Sequence, residues 1–274
     1  MAGPGVRPVT SNQDGIYRNL EQVVRKYGAT RFLRPVADHT REAFDRAREF
    51  VIDFYERKYC ERHAEGQERP QSLGHSPGNA FDSPKFAVVL DSGCGTGEST
   101  LHLARKFPDT PVIGIDKSAM RLNKAGNVHQ QEAAGTDIPP NALWIRAELL
   151  DFWKLALDEV RAGRWEIVHH ALYYPNPWPK ESEAGRRFHL HPIFPTLMAL
   201  SPVTELRTNW EIYAREFAAA AKILCNGSCK VAATGLAGTA NILCEAFEPL
   251  QPETAFERKY KEARQQLWRV LVKR

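Results

Sequence analysis

The spacing of apolar residues changes character along the chain. From Thr40 to Tyr59, Phe44, Ala47, Val51, Phe54 and Tyr55 recur at helical spacing with charges between them, which predicts an amphipathic helix. Residues 61–80 carry almost no large apolar side chain and read as a linker. Short apolar runs then alternate with helical periods. Strands are predicted at 86–91, 112–116, 143–147, 166–172, 203–208, 228–234 and 267–272. Helices are predicted near 98–107, 118–131, 151–161, 192–198, 210–224 and 238–247. A helical segment over 254–266 precedes the last strand, which is expected as an antiparallel insertion. The alternation predicts an α/β fold with a seven-stranded, mostly parallel sheet and helices on both faces. Residues 1–80 are expected to form an N-terminal extension and residues 81–274 the main domain. The extension opens Pro/Gly-rich, where disorder is expected, and then carries Arg18, Arg25, Lys26, Arg31 and Arg34 as a basic arm.

The first strand runs into chemistry. Val88-Val89-Leu90-Asp91 is followed by Ser92-Gly93-Cys94-Gly95-Thr96-Gly97 and then by the helical period from Glu98. This is a strand, a glycine turn and a helix start. Glycine reaches positive φ and lets a ligand approach the backbone, and a Cβ at Gly95 is expected to invade the turn. A phosphate fingerprint spaces its glycines G-x-G-x-x-G; here they read G-x-G-x-G with Asp91 before them. That variant suits S-adenosylmethionine, whose carboxylate takes N–H groups at a helix start. The plain alternative is a structural glycine turn. Asp116 ends the second strand where ribose hydroxyls bind in such sheets, or else it caps the next helix. Ala147 and Glu148 follow the third strand, as adenine contacts or as a surface position. Features at three successive strand ends point to a Rossmann-like methyltransferase domain.

Composition narrows the setting. With 274 residues and 43% apolar content, the chain holds one large α/β domain plus an extension, and no run approaches a membrane span. The five cysteines (Cys60, Cys94, Cys225, Cys229, Cys244) are an odd count, which argues for reduced thiols and a cytoplasmic location. Cys225 and Cys229 have no second pair at zinc spacing, so no metal is expected. A net charge of +4 permits nucleic acid as a partner.

The fourth strand ends in Pro175-Asn176-Pro177-Trp178-Pro179-Lys180, where the prolines hold an extended loop that presents Asn176 and Trp178. Asn offers a donor and an acceptor, and the indole suits base stacking; a surface loop with a buried Trp is the alternative. This loop resembles the P-D-P-W-P-K loop of TrmB-like tRNA (guanine-N7-)-methyltransferases. The similarity continues through Arg186-Arg187, through Thr208-Asn209-Trp210-Glu211-Ile212-Tyr213 (family T-D-W-x-x-Y), and ends at Thr254-Ala255-Phe256-Glu257 (family T-x-[FY]-E). It covers roughly residues 86–274. The resemblance implies S-adenosylmethionine as methyl donor and a variable-loop guanine of tRNA as acceptor. It makes Asn176 and Trp178 the catalytic candidates and Lys180, Arg186, Arg187, Thr208, Asn209, Thr254 and Glu257 the substrate-binding ones.

The departures are specific. Asn176 and Asn209 stand where the family has aspartate, and the basic run keeps Lys180, Arg186 and Arg187 but has Ser182, Glu183 and Gly185 at other cationic positions. Two other functions therefore stay open. One is a paralogue that methylates another base or a small planar substrate, since Asn-Pro-aromatic is similar to the loop of exocyclic-amine methyltransferases. The other is a non-catalytic protein that binds cofactor and RNA. The arm and the C-terminal cations Arg258, Lys259, Lys261, Arg264, Arg269, Lys273 and Arg274 are candidate phosphate contacts or a solvated face. His189 and His191 receive no role.

Overall fold

The computed structural model describes residues 8–64, 85–124, 138–226 and 239–274. Its strands are β1 (Phe86–Ser92), β2 (Val112–Asp116), β3 (Ala142–Arg146), β4 (Trp165–Tyr173), β5 (Val203–Thr208), β6 (Asn241–Phe247) and β7 (Leu267–Lys273). They form one seven-stranded sheet in the order β3-β2-β1-β4-β5-β7-β6. β1 with β2, β2 with β3 and β4 with β5 pair in parallel, while β7 lies antiparallel to both β5 and β6. The expected antiparallel insertion is thus β7. Val88, Val89 and Leu90 in β1 are all fully buried. Successive strand residues face opposite sides, so a run buried at every position has both faces covered.

The helices are α1 (Leu20–Gly28), α2 (Asp38–Ala64), α3 (Glu98–Lys106), α4 (Leu149–Arg161), α5 (Phe194–Leu200), α6 (Glu211–Asn226) and α7 (Ala255–Glu262). The chain forms two compact units: residues up to Pro35 with His169–Arg274, and Val36–Val168. The N-terminal extension is accordingly divided, α1 belonging to the first unit and α2 to the second. No helix among the described residues is long and apolar enough to cross a membrane.

In the Val36–Val168 unit, α3 opens at Gly97, which has φ +84°. Glu98 in its first turn and Arg105 and Lys106 in its last match the helix dipole. Gly114 sets how close α3 approaches β2: a Cβ there would lie 2.3 Å from Thr100 Oγ1 and 3.1 Å from Trp144 Cδ1. The apolar stripe of α2 is anchored at Phe44, whose ring lies 4.9 Å from Phe152 of α4 and 5.2 Å from Trp165. Burying side chains of this size contributes about 1.5–3 kcal/mol each.

In the other unit, α6 buries Tyr213, Phe217, Ala220, Ala221 and Leu224 at helical spacing. α1 packs on it so closely that a Cβ on Gly28 would sit 3.1 Å from Leu224 Cδ1. Thr254 caps α7 by accepting from the Glu257 N–H at 3.0 Å, and the Glu257 carboxylate reaches back to the Glu253 N–H at 2.6 Å.

Two sequence expectations change here. The helix predicted over 238–247 is the strand β6: its Ile, Leu, Ala and Glu suit a helix, but all of Asn241–Phe247 pairs with β7 and Glu245 forms an ion pair with the opposing Arg269. The helix predicted over 254–266 stops at Glu262, and Arg264 beyond it has φ +52°. The strand predicted at 228–234, most of the 61–80 linker, the chain start and the far half of the 118–131 helix lie outside the described residues.

Candidate functional site

The glycine turn belongs to the Val36–Val168 unit, where hydrogen bonds fix its shape. Gly93 and Cys94 N–H groups donate to the Ile115 carbonyl at 2.7 and 3.1 Å, tying the turn to the end of β2. Gly93, Gly95 and Gly97 have φ of +83°, +59° and +84°, the left-handed region that side chains avoid. Crowding is not the reason for glycine at position 95, contrary to the sequence expectation. A Cβ there would find its nearest heavy atom at 4.0 Å, so the backbone conformation alone disfavours other residues. The same openness over Gly93 and Gly95 leaves the turn accessible to a ligand.

Asp116 is 4% exposed and spans both elements of this turn. Its Oδ2 accepts from the Gly95 N–H at 3.1 Å and its Oδ1 from the Ser118 N–H at 2.8 Å. Both readings of Asp116 are compatible with this: it holds the chain after β2, and each carboxylate oxygen keeps a second lone pair for a hydroxyl. Asp91 points elsewhere. Its buried Oδ2 accepts from Ser99 Oγ at 2.6 Å and Thr100 Oγ1 at 2.7 Å, which pins the first turn of α3. Trp144 Nε1 donates to the Gly97 carbonyl at 3.2 Å. Ala147 donates its N–H to the Asp116 carbonyl at 3.2 Å, while the Glu148 N–H is held by Thr40 of α2 at 3.2 Å. The structure therefore brings the three glycines, Asp116 and Ala147 together, while the Asp91 carboxylate serves the first turn of α3. Cys94 within the turn is no nucleophile: burial first, then the charges of Asp91 and Asp116, push its thiol well above the ordinary value.

The loop after β4 belongs to the other unit. It starts at Tyr174 (φ +51°) and contains Trp178 (φ +45°), both left-handed without being glycine. Asn176 is exposed, and its Oδ1 accepts from the Trp178 N–H at 3.3 Å. The Arg186 guanidinium lies 4.5 Å from the centre of the Trp178 ring and pairs with Glu183 at 3.2 Å. Lys180 and Arg186 are exposed, as the phosphate-contact reading requires.

Arg187 corrects that reading. It is 0% exposed. Its Nε and Nη2 donate to the Trp178 carbonyl at 3.2 and 2.9 Å, and its Nη1 reaches Glu216 Oε2 at 2.8 Å. The guanidinium also stacks 4.8 Å from the Trp210 ring. It anchors the loop from inside. Glu216 is equally buried; burial opposes its charge, but the His189 hydrogen bond and the Arg187 charge outweigh this and hold it below the usual carboxylate range. His189 sits 2.8 Å from Glu216 through Nε2, and burial lowers its pKa despite that neighbour. A neutral ring donating from Nε2 fits, because its buried Nδ1 has no hydrogen-bond partner among the described residues and an imidazolium would leave an N–H there unmatched.

Three more predicted substrate contacts are corrected to supporting roles. Thr208 is buried, and its Oγ1 accepts from the Trp210 N–H at 3.2 Å, which shapes the entry to α6. The hydroxyl of Thr254 is occupied by the α7 cap. Glu257 is fully buried and accepts from Arg207 Nη1 and the Tyr174 hydroxyl, each at 2.9 Å. Burial and then the Glu257 charge raise the Tyr174 pKa, so its hydroxyl stays protonated and donates. Asn209 is half-buried, with its Nδ2 3.4 Å from Gln265 Oε1.

Arg207, which sequence reasoning passed over, joins these parts. It meets Glu205 Oε1 at 2.8 Å, Glu253 Oε2 at 2.8 Å and Glu257 Oε1 at 2.9 Å, with Tyr173 stacked 4.1 Å away. Three carboxylates thus converge on one guanidinium, and His169 Nε2 lies 3.5 Å from Glu205 Oε2. Among the described residues no group of His, Cys, Asp and Glu could hold a metal ion.

A family model described as "Putative methyltransferase" (Methyltransf_4) matches residues 85–270, more than half of the chain. The chain is 34% identical over 134 residues to a tRNA (guanine-N(7)-)-methyltransferase of Streptomyces coelicolor, covering 47% of this chain and 45% of that protein. A protein of the same name from Nitrosococcus oceani is 25% identical over 218 residues, covering 74% of this chain and 78% of its own. A shorter match, 56% identical over 41 residues, joins 15% of this chain to 16% of a trans-aconitate 2-methyltransferase of Deinococcus radiodurans. The chain spans less than half the length of the leading curated relatives it matches.

Proposed function

The chain belongs to the TrmB-like methyltransferase family, and from that premise we propose that it transfers a methyl group from S-adenosylmethionine to N7 of a guanine in tRNA. The observation that carries the reading is the run of left-handed glycines, held through the Gly95 N–H to Asp116 at the end of β2. The turn is open over Gly93 and Gly95 and backed by a buried carboxylate, which fits a ligand with ribose hydroxyls and no phosphate.

S-adenosylmethionine supplies, when bound, a methyl group on a sulfonium. Asp116 takes the ribose hydroxyls, Gly93, Gly95 and Gly97 leave room at the turn, and Ala147 and Glu148 serve the adenine. On the acceptor side, N7 of guanine has an in-plane lone pair, so no side chain needs to remove a proton. The work is positioning, which Trp178 does by packing on the base and Asn176 and Asn209 by amide hydrogen bonds. Lys180 and Arg186 hold phosphates. Positive charge moves onto the base as the methyl arrives, and with Asn176 in place of an aspartate position 176 offers an amide and no carboxylate to meet it. The Tyr174 hydroxyl links the start of the loop to Glu257 of the Glu205–Glu253–Glu257 cluster, which lies beside Arg207. The free thiols of Cys60 and Cys94 fit a reducing compartment such as the cytoplasm.

A second reading follows from Asn176 itself: an amide beside proline and an aromatic also suits a planar exocyclic amine. Incubation with labelled S-adenosylmethionine and bulk tRNA, followed by nucleoside mass analysis, tests both. The proposal requires 7-methylguanosine. A methylated amine would transfer the assignment to the second reading, and cofactor binding without turnover would point to a non-catalytic role.

A further inference from the structure

Three consecutive residues near the start of the described chain each grip the loop after β4. Ser11 Oγ donates to the Pro179 carbonyl at 2.6 Å, Asn12 Oδ1 accepts from the Glu181 N–H at 3.1 Å, and Gln13 Oε1 accepts from Arg187 Nη1 at 2.9 Å. Their partners lie 168 to 174 residues away in sequence. The other side of the Gln13 amide donates to Glu216 Oε1 and to the Gly15 carbonyl, both at 2.6 Å. Tyr17 adds its N–H to the same Glu216 oxygen at 2.7 Å. Gln13 is 8% exposed, so its bonds to Arg187 and Glu216 form inside the protein, while those of Ser11 and Asn12 lie at the surface.

The consequence reaches Trp178. Its left-handed backbone is unfavourable for an aromatic residue and persists only where the surroundings impose it. The Arg187 guanidinium clasps the Trp178 carbonyl with two donors, and Asn176 Oδ1 accepts from the Trp178 N–H. Arg187 is in turn oriented by Gln13 and Glu216 through its remaining nitrogen. Residues 11–13, ahead of the basic arm, contribute neutral side chains that bond to protein groups.

We propose that Ser11-Asn12-Gln13 is a strap that sets the acceptor loop, with Gln13 a positioning residue that acts through Arg187 on Trp178. The positioning role rests on the acceptor reading of this loop; the strap itself does not. Loss of Gln13 removes one of the two acceptors that orient Arg187 Nη1 and leaves Glu216 short of a donor. The loop then samples other conformations, and the base meets Trp178 in productive geometry less often.

The test uses the full chain as wild type, Gln13→Ala, and the milder Ser11→Ala in case the first variant is poorly folded. Amide exchange needs no substrate: peptides covering 176–187 should exchange about ten-fold faster in Gln13→Ala, the loss typical of a hydrogen bond to a charged group, while β1 is unchanged. Calorimetry should give S-adenosylmethionine affinity within about two-fold of wild type. With bulk tRNA, kcat should fall about ten-fold while KM for RNA changes far less, because misplacement affects the step and not the phosphate contacts. Unchanged exchange over 176–187 in both variants overturns the strap. Faster exchange with unaltered kcat overturns the positioning role. If wild-type protein methylates no RNA, the acceptor reading fails and the exchange result alone decides the strap.

Discussion

Arg186 and Arg187 are neighbours in a basic run, yet the structure assigns them opposite consequences. Arg187→Met keeps much of the side-chain volume and removes the charge. The Trp178 carbonyl loses two donors, Gln13 loses one, and the fully buried Glu216 keeps only His189, Gln13 and the Tyr17 N–H. Removing one partner of a buried ion pair costs about 3–5 kcal/mol, mostly because the other charge is stranded. Arg187→Met should therefore lose stability in that range. Arg187→Met combined with Glu216→Gln should be less destabilised than the single variant, since no charge remains stranded. The Arg186 side chain is 60% exposed, so Arg186→Glu should stay within about 0.5 kcal/mol of wild type. The same change should weaken tRNA binding and lessen its salt dependence. Urea unfolding followed by circular dichroism gives the first quantity, and filter binding across a salt series the second. If Arg187→Met melts like wild type and instead weakens tRNA binding as Arg186→Glu does, Arg187 faces phosphate and the buried anchor is wrong.

Three further outcomes follow. Asp116→Ala should weaken S-adenosylmethionine binding by about 1.5–3 kcal/mol in calorimetry, the range for hydrogen bonds to a charged group, and unchanged affinity would place the cofactor elsewhere. Asn176→Asp should preserve or raise single-turnover transfer to tRNA, because a carboxylate meets the charge moving onto guanine; loss of activity would favour an amine acceptor. His170 is fully buried, and burial, aided by the His169 charge, pushes its pKa down to about 3. Its folded value lies below its unfolded one, so the stability it permits is complete above about pH 6.5 and declines as pH falls toward 3. Between pH 6.5 and 5 that decline is about 2 kcal/mol. Urea midpoints at both pH values should converge in His170→Gln; an equal decline in the variant would show that other groups carry it.

What the sequence makes legible depends on the distance over which the cause acts. β1 and β2 are written in local apolar runs, and the glycine turn is written in residue type, because left-handed φ selects glycine at each position. The capping box is also spelled locally, in Thr254-Ala-Phe-Glu257, although the family resemblance drew those residues toward the substrate. β6 was misread because Asn241–Phe247 has helix-favouring residues and becomes a strand only through its partner β7. Arg187 is the clearest case of hidden cause. Beside Arg186 it reads as a phosphate contact, and nothing local reveals that Glu216 and Gln13 close around it from 29 and 174 residues away. Gln13 carried no signal at all.

The central claim is methyl transfer to N7 of guanine in tRNA. Its most direct test compares two tRNA transcripts under single-turnover conditions with labelled S-adenosylmethionine, one with guanine and one with 7-deazaguanine throughout. The analogue keeps the exocyclic amine and replaces only the N7 lone pair with C–H. The account predicts labelled 7-methylguanosine from the first transcript and no transfer to the second. Undiminished transfer to the 7-deazaguanine transcript would contradict it.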